Sequence, residues 1–135
     1  MVLKPEQTIS AQVLLRAANG KRPDGRSRIT AENIREWTPS AETVARVRET
    51  FLASGFEVGD LVGNSVSISG PVRLFEAVFR TPVQQSKPGV IQFLNAEQSA
   101  NYELAPEKIP RDLRGLIVAI TFTPPPDFGP TSFSV

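Results

Sequence analysis

The chain has 135 residues, 40% of them apolar and 21% charged, with 15 basic against 14 acidic side chains for a net charge of +1. That is enough chain for one compact core and argues against wholesale disorder, while the balanced charge gives no electrostatic reason to expect nucleic acid or an anionic membrane as partner. Cys and His are both absent, which removes disulfides, a thiol nucleophile, a Ser-His pair and the commonest transition-metal ligand.

In chain order, Thr8 to Arg16 alternates as a half-buried strand, with Ile9, Ala11, Val13 and Leu15 on the inner side and Ser10, Gln12, Leu14 and Arg16 on the outer. Asn19 to Arg28 combines Gly, Pro, Asp and basic residues, which is loop chemistry without aromatic residues for base stacking. Thr30 can cap a short helix through Glu36 that turns Ile34 and Trp37 inward. Thr38-Pro39 then reads as an N-cap with proline at the first helical position, Val44, Val47 and Phe51 recur at helical spacing with Leu52 widening the stripe, and Ser54-Gly55 stops the helix. Phe56 to Val62 reads as a second strand, and Gly63-Asn64 as a turn into a third, Ser65 to Ser69.

Gly70 is read as relieving the backbone on leaving that strand. Pro71 to Arg80 is a helix with Val72, Phe75, Val78 and Phe79 inward, ended by Thr81-Pro82. Beyond it, Val90 to Leu94 and Asn101 to Leu104 suggest an irregular hairpin. Arg111 to Gly115 is a short helical turn, and Ile117 to Thr123 a last strand with Val118, Ile120 and Phe122 inward. The prolines at 124 to 126 end any ladder. Residues 1–123 thus form the domain and 124–135 a proline-rich tail. The order of elements predicts an α+β, ferredoxin-like open sandwich, an antiparallel sheet with two main helices on one face.

Two helices cover only one side of such a sheet. The other side carries Ser10, Gln12, Leu14, Ser65, Ser67, Ser69, Ala119 and Thr121, short uncharged residues that let another surface approach without desolvating charges. This face is the candidate binding surface, joined by Thr123, Pro124 and Pro125 of the tail.

The segments ISAQVLLRA, ITAENIREWTPSAETVARVRETFLASGFEV, SVSISGPVRLFEAVFRTPV and IPRDLRGLIVAI resemble, in that order, the activation domain of sedolisin (kumamolisin-type) serine-carboxyl peptidases, from about Thr8 to Phe122. Thr38-Pro39-Ser40, Phe51-Leu52 to Gly55, the SGPV turn with Phe79 and Thr81, and Ile109-Pro110 carry the likeness. The resemblance implies an N-terminal propeptide that assists folding of the peptidase and blocks its active site until cleaved. Its open sheet face would lie on the enzyme and its last segment would enter the substrate cleft. Gly70, Phe79 and Pro110 match structural positions of that pattern, and no catalytic role comes with them.

The Gly-Thr-Ser-type nucleophile segment of those peptidases is not among these residues, and Thr131-Ser132-Phe133-Ser134 has no base partner in view. The chain is therefore expected to be non-catalytic, either a fragment of a precursor or a free-standing relative. The expected partner is a sedolisin-type peptidase domain in cis or trans. The alternative is an interaction module that binds another partner or itself, as a homodimer.

An acylphosphatase reading of SGPVRLFEAVFR lacks the glycines of a phosphate cradle. Glu97, Glu103 and Glu107, like Asp24-Gly25 and Asp60, read as solvated charges rather than as metal ligands. No cofactor, metal, nucleic acid or membrane is expected to bind. No apolar run reaches the ~20 residues of a bilayer span, and Met1 to Ser10 does not read as a secretory signal, so the expectation is a soluble protein, secreted if it belongs to a peptidase precursor.

Overall fold

A computed structural model describes residues 3–17, 38–87, 90–94 and 100–122. The expected loop from Asn19 to Arg28, the helix from Thr30 with Ile34 and Trp37, Glu97, and the tail with Thr123, Pro124 and Pro125 lie outside the described residues.

The first strand, β1 (Thr8–Leu15), buries Ile9, Ala11, Val13 and Leu15 and leaves the alternate residues outside, as its period of two requires. A helix, α1 (Ala41–Ser54), follows. Its N-cap is Ser40, not Thr38: the Ser40 hydroxyl accepts from the Thr43 backbone N–H at 3.1 Å, so Pro39 precedes the cap. At the other end Gly55 adopts φ 109°, its N–H donates to the Leu52 carbonyl, and the Phe56 N–H returns to the Phe51 carbonyl at 3.0 Å. Phe51 and Phe56 meet edge to face at 5.7 Å, completing a Schellman motif with its apolar contact.

The second strand is only β2 (Glu57–Val58), shorter than expected from Phe56 to Val62, although Val62 and Ser65 still bridge across a two-residue turn with Gly63 at φ 62°. β3 (Ser65–Pro71) runs on through Gly70 into α2 (Val72–Phe79). Pro71 is thus the residue before the helix. Gly70 pairs with Ile9 within the ladder and lies outside the left-handed region. Its role is spatial rather than a relief of the backbone, because Phe56 and Leu74 pack where a side chain would stand.

The stretch after α2 contains a strand that polar composition concealed, β4 (Val83–Lys87). It pairs with β5 (Val90–Leu94), which also pairs with the short β6 (Ala100–Asn101). Instead of completing that hairpin, residues 102 to 104 turn to the main sheet. Leu104 N–H donates to Ile120, Phe122 N–H to Tyr102, and Glu103 bridges Thr121. Two 3-10 turns, Pro106–Lys108 and Arg111–Leu113, then lead into β7 (Ile117–Thr121).

The main sheet has the order β2-β3-β1-β7 with every pair antiparallel, and β4-β5-β6 form a second, smaller sheet. The protein has an α+β fold, and the main sheet's order agrees with the expected ferredoxin-like open sandwich. Val47 and Phe51 of α1 and Val72, Phe75 and Phe79 of α2 join one buried cluster with the inner residues of β1, β3 and β7. Rings connect its parts: Phe79 lies 6.2 Å from Phe51, 5.9 Å from Phe56 and 6.3 Å from Phe93, and Phe93 stacks on Phe122 at 4.4 Å. Each buried ring contributes about 1.5–3 kcal/mol by removal from water.

In β7 one inner residue differs from expectation. β7 faces β1 with Ala119 opposite Leu14 but Ile117 opposite Leu15. This shift leaves Val118 half-buried and puts Ile117 in the core beside Ile120. A bulge of this kind changes the phase of alternation at one point, and the side assigned from sequence before it inverts.

Candidate docking face

The outer face of the main sheet is assembled by pairing across three strands. Gln12 of β1 stands between Ser67 of β3 and Thr121 of β7, Leu14 between Ser65 and Ala119, and Ser10 opposite Ser69. All eight candidate residues of the face come together in adjacent register. Only the tail residues Thr123, Pro124 and Pro125 have no described place in it. Ser10 is exposed, Ala119 is buried, and the other six are half-buried, as expected where short side chains shield one another on a pleated surface.

The chemistry of this surface is uniform. Ser10 and Ser69 hydroxyls hydrogen-bond to each other at 2.7 Å, and Ser65 Oγ donates to the Val62 carbonyl at 3.2 Å. Hydroxyls with partners inside the face lose less on desolvation than free ones. Next to Ser67, the β2 side of the sheet offers Gly59, whose N–H donates to the Ser67 carbonyl at 2.9 Å. A Cβ at position 59 would collide with Ser67 Oγ, so a bare backbone keeps this corner open. Arg48 of α1 donates to the Gly59 carbonyl and fixes that loop.

The strand pairing also locates charges that sequence reading did not connect with the face. Glu57 pairs with Ser69 at one edge of the sheet, and Glu103 bridges Thr121 at the other. Residues opposite one another in an antiparallel pair project to the same side, so an uncharged centre is bordered by a carboxylate on each edge. Glu57 could have been placed from its hairpin. Glu103 could not, because its pairing to β7 depends on a chain reversal that no turn motif announces.

The remaining sequence candidates separate. Glu103 belongs to the sheet edge, whereas Glu107 lies on a 3-10 turn. Among the described residues no group of three acidic side chains gathers as a metal site. At the start of α2, the N–H groups of Val72 and Arg73 already donate to the carbonyls of Gln7 and Pro5 at 2.9 and 3.0 Å. Those two donors are spent within the protein, so the SGPV turn does not present them to a phosphate. Leu52, expected to widen the buried stripe of α1, is instead 51% exposed. It lines a shallow groove of about 630 Å³ with Val44, Ala45 and Leu61. No helix of the described residues is long and apolar enough to cross a membrane.

Comparison with protein-family models and with curated proteins gave no match.

Proposed function

We propose that this chain is a non-catalytic binding domain of the sedolisin propeptide type, whose bare sheet face docks on a serine-carboxyl peptidase, inhibits it and assists its folding. The observation that carries the reading is the composition of that face. Ser10, Gln12, Leu14, Ser65, Ser67, Ser69, Ala119 and Thr121 form one uncharged surface across three strands, bordered by Glu57 and Glu103. A surface made only for solvation would carry long charged side chains at its centre. Protein interfaces instead deplete charge at the core and keep it at the rim. The segment from Thr123 onward continues from the strand next to this face and would thread the substrate cleft.

Rim carboxylates that pair with cations of a partner contribute to binding. Replacing Glu57 and Glu103 together by Gln is expected to weaken inhibition of a partner peptidase, with the difference from the parent shrinking as salt is raised. Inhibition unchanged by the double substitution would remove these two groups from the interface.

The function itself is tested by titrating the purified domain into a sedolisin-type peptidase at acidic pH, with that enzyme's own propeptide as the positive control. Inhibition by the domain, and faster recovery of activity when the denatured peptidase refolds in its presence, are expected. Inhibition by the control alone, with no effect of the domain on refolding, would overturn the reading.

A further inference from the structure

Away from the sheet face, the C-terminal end of α2 and the two 3-10 turns enclose a cleft of about 360 Å³ lined by Phe79, Arg80, Glu107, Lys108, Arg111 and Arg114, over Val78, Ile109 and Pro110. Four cations face one carboxylate there, in a protein whose whole net charge is +1. Arg114 is built into the wall. Its Nε donates to the Ile109 carbonyl at 2.9 Å and a terminal nitrogen to the Glu107 carbonyl at 2.6 Å, which folds the two turns around its guanidinium. Arg80, Lys108 and Arg111 take part in no ion pair among the described residues, where the pair formed is Arg73 with Glu6.

Arg80 supplies an independent sign. It is the non-glycine residue with positive φ among the described residues, at φ 49° and ψ 41°, in a conformation that glycine adopts without cost. The turn it makes is held on both sides, by Thr81 Oγ1 donating to the Phe79 carbonyl at 2.9 Å and by the Val83 N–H donating to Glu76 Oε2 at 2.9 Å. A strained backbone carrying an unpaired guanidinium into a cleft points to a requirement for that side chain. The negative end of the α2 dipole accounts for one cation at this position. It does not account for Lys108, Arg111 and Arg114 converging from other turns.

We infer that this cleft binds a multiply charged oxyanion, with Arg80 and Arg111 as planar forks, Lys108 as a point charge and Arg114 as the fixed wall. Guanidinium groups match the paired oxygens of phosphate and carboxylate groups, and the volume suits a ligand with two or three such groups. A free small anion and the clustered acidic side chains of a docked chain share this chemistry. The inference does not rest on the peptidase reading, because the sheet face contributes nothing to the cleft.

The test is to titrate the protein with pyrophosphate, citrate and a short Asp-Glu peptide, following backbone amide shifts by NMR, with acetate as the singly charged control. Shifts at Arg80 and across 107–114 that weaken as salt is raised are expected. The pyrophosphate and citrate arms report a free anion, and the peptide arm a docked acidic chain. Arg80→Gly, which relaxes the backbone while deleting the guanidinium, and Arg111→Gln should each lower affinity roughly tenfold. Arg73→Gln, at the other end of α2, should leave it unchanged. Thermal melts confirm that each variant is folded. No shift with any of the three probes up to about 10 mM, shifts that map elsewhere, or full affinity in folded Arg80→Gly and Arg111→Gln would overturn the assignment.

Discussion

Gly70 lies on the core side of β3, where a Cβ would come within 3.1 Å of both Leu74 Cδ2 and Phe56 Cδ1. Leu74 is half-buried and meets the position with the far end of a flexible side chain, but Phe56 is held against Phe75 at 4.9 Å. Gly70→Ala should therefore destabilise the fold by about 1–2 kcal/mol through overpacking, read as a lower urea midpoint with the slope unchanged. The ion pair between Arg73 and Glu6 is a contrasting case. It is short, 2.7 Å, but its side chains are 61% and 74% exposed. Solvent screening limits such a pair to a few tenths of a kcal/mol, so Glu6→Gln should change the unfolding free energy from the same titration by less than about 0.5 kcal/mol. At this scale the sequence is a partial guide. It marks Gly70 as special, but only packing shows that the reason is room for Phe56 rather than an unusual backbone angle.

The elements were legible where alternation or helical spacing was unbroken and obscure where polar composition or a register shift interrupted it. β1 and α2 could be placed because Ile9 to Leu15 and Val72 to Phe79 each keep one phase of burial throughout. β4 could not, since Gln84 and Gln85 give no alternation and its stability comes from pairing with β5. At the start of α1 the Thr38-Pro39 pair reads as the cap from sequence, but the hydroxyl that reaches a free N–H is that of Ser40. Ser40→Ala should cost about 1 kcal/mol, since it removes the acceptor for Thr43. Urea unfolding followed by circular dichroism checks this, and Ser40→Asp should retain most of the stability. On the outer face, Ser65 to Ser69 and Gln12 to Leu14 were legible from period two alone. Glu57 and Glu103 became its borders only once strand partners were known.

Across the whole molecule, Phe79 connects α1, α2, the loop at Phe56 and the smaller sheet through ring contacts with Phe51, Phe56, Phe75 and Phe93. Phe79→Ala should cost about 3–5 kcal/mol, enough to threaten a domain of ordinary stability, and a thermal melt would show it. One sheet face is committed to this ring cluster, and the other is left with short uncharged side chains; that division is what the functional proposal depends on. The cationic cleft shows the limit of reading charge from sequence. Arg111 and Arg114 are three apart, a spacing that a 3-10 turn places on one side, whereas Lys108 sits on a separate turn across the extended Ile109-Pro110. Arg80 joins them only through the fold. The most direct measurement for the central claim is the inhibition of a sedolisin-type peptidase by Ser67→Arg, which sets a charge at the middle of the bare face. The account predicts an unchanged melting temperature and at least a tenfold loss of inhibition, roughly the penalty for burying one unpaired charge at an interface. A folded Ser67→Arg domain that inhibits as well as the parent would contradict it.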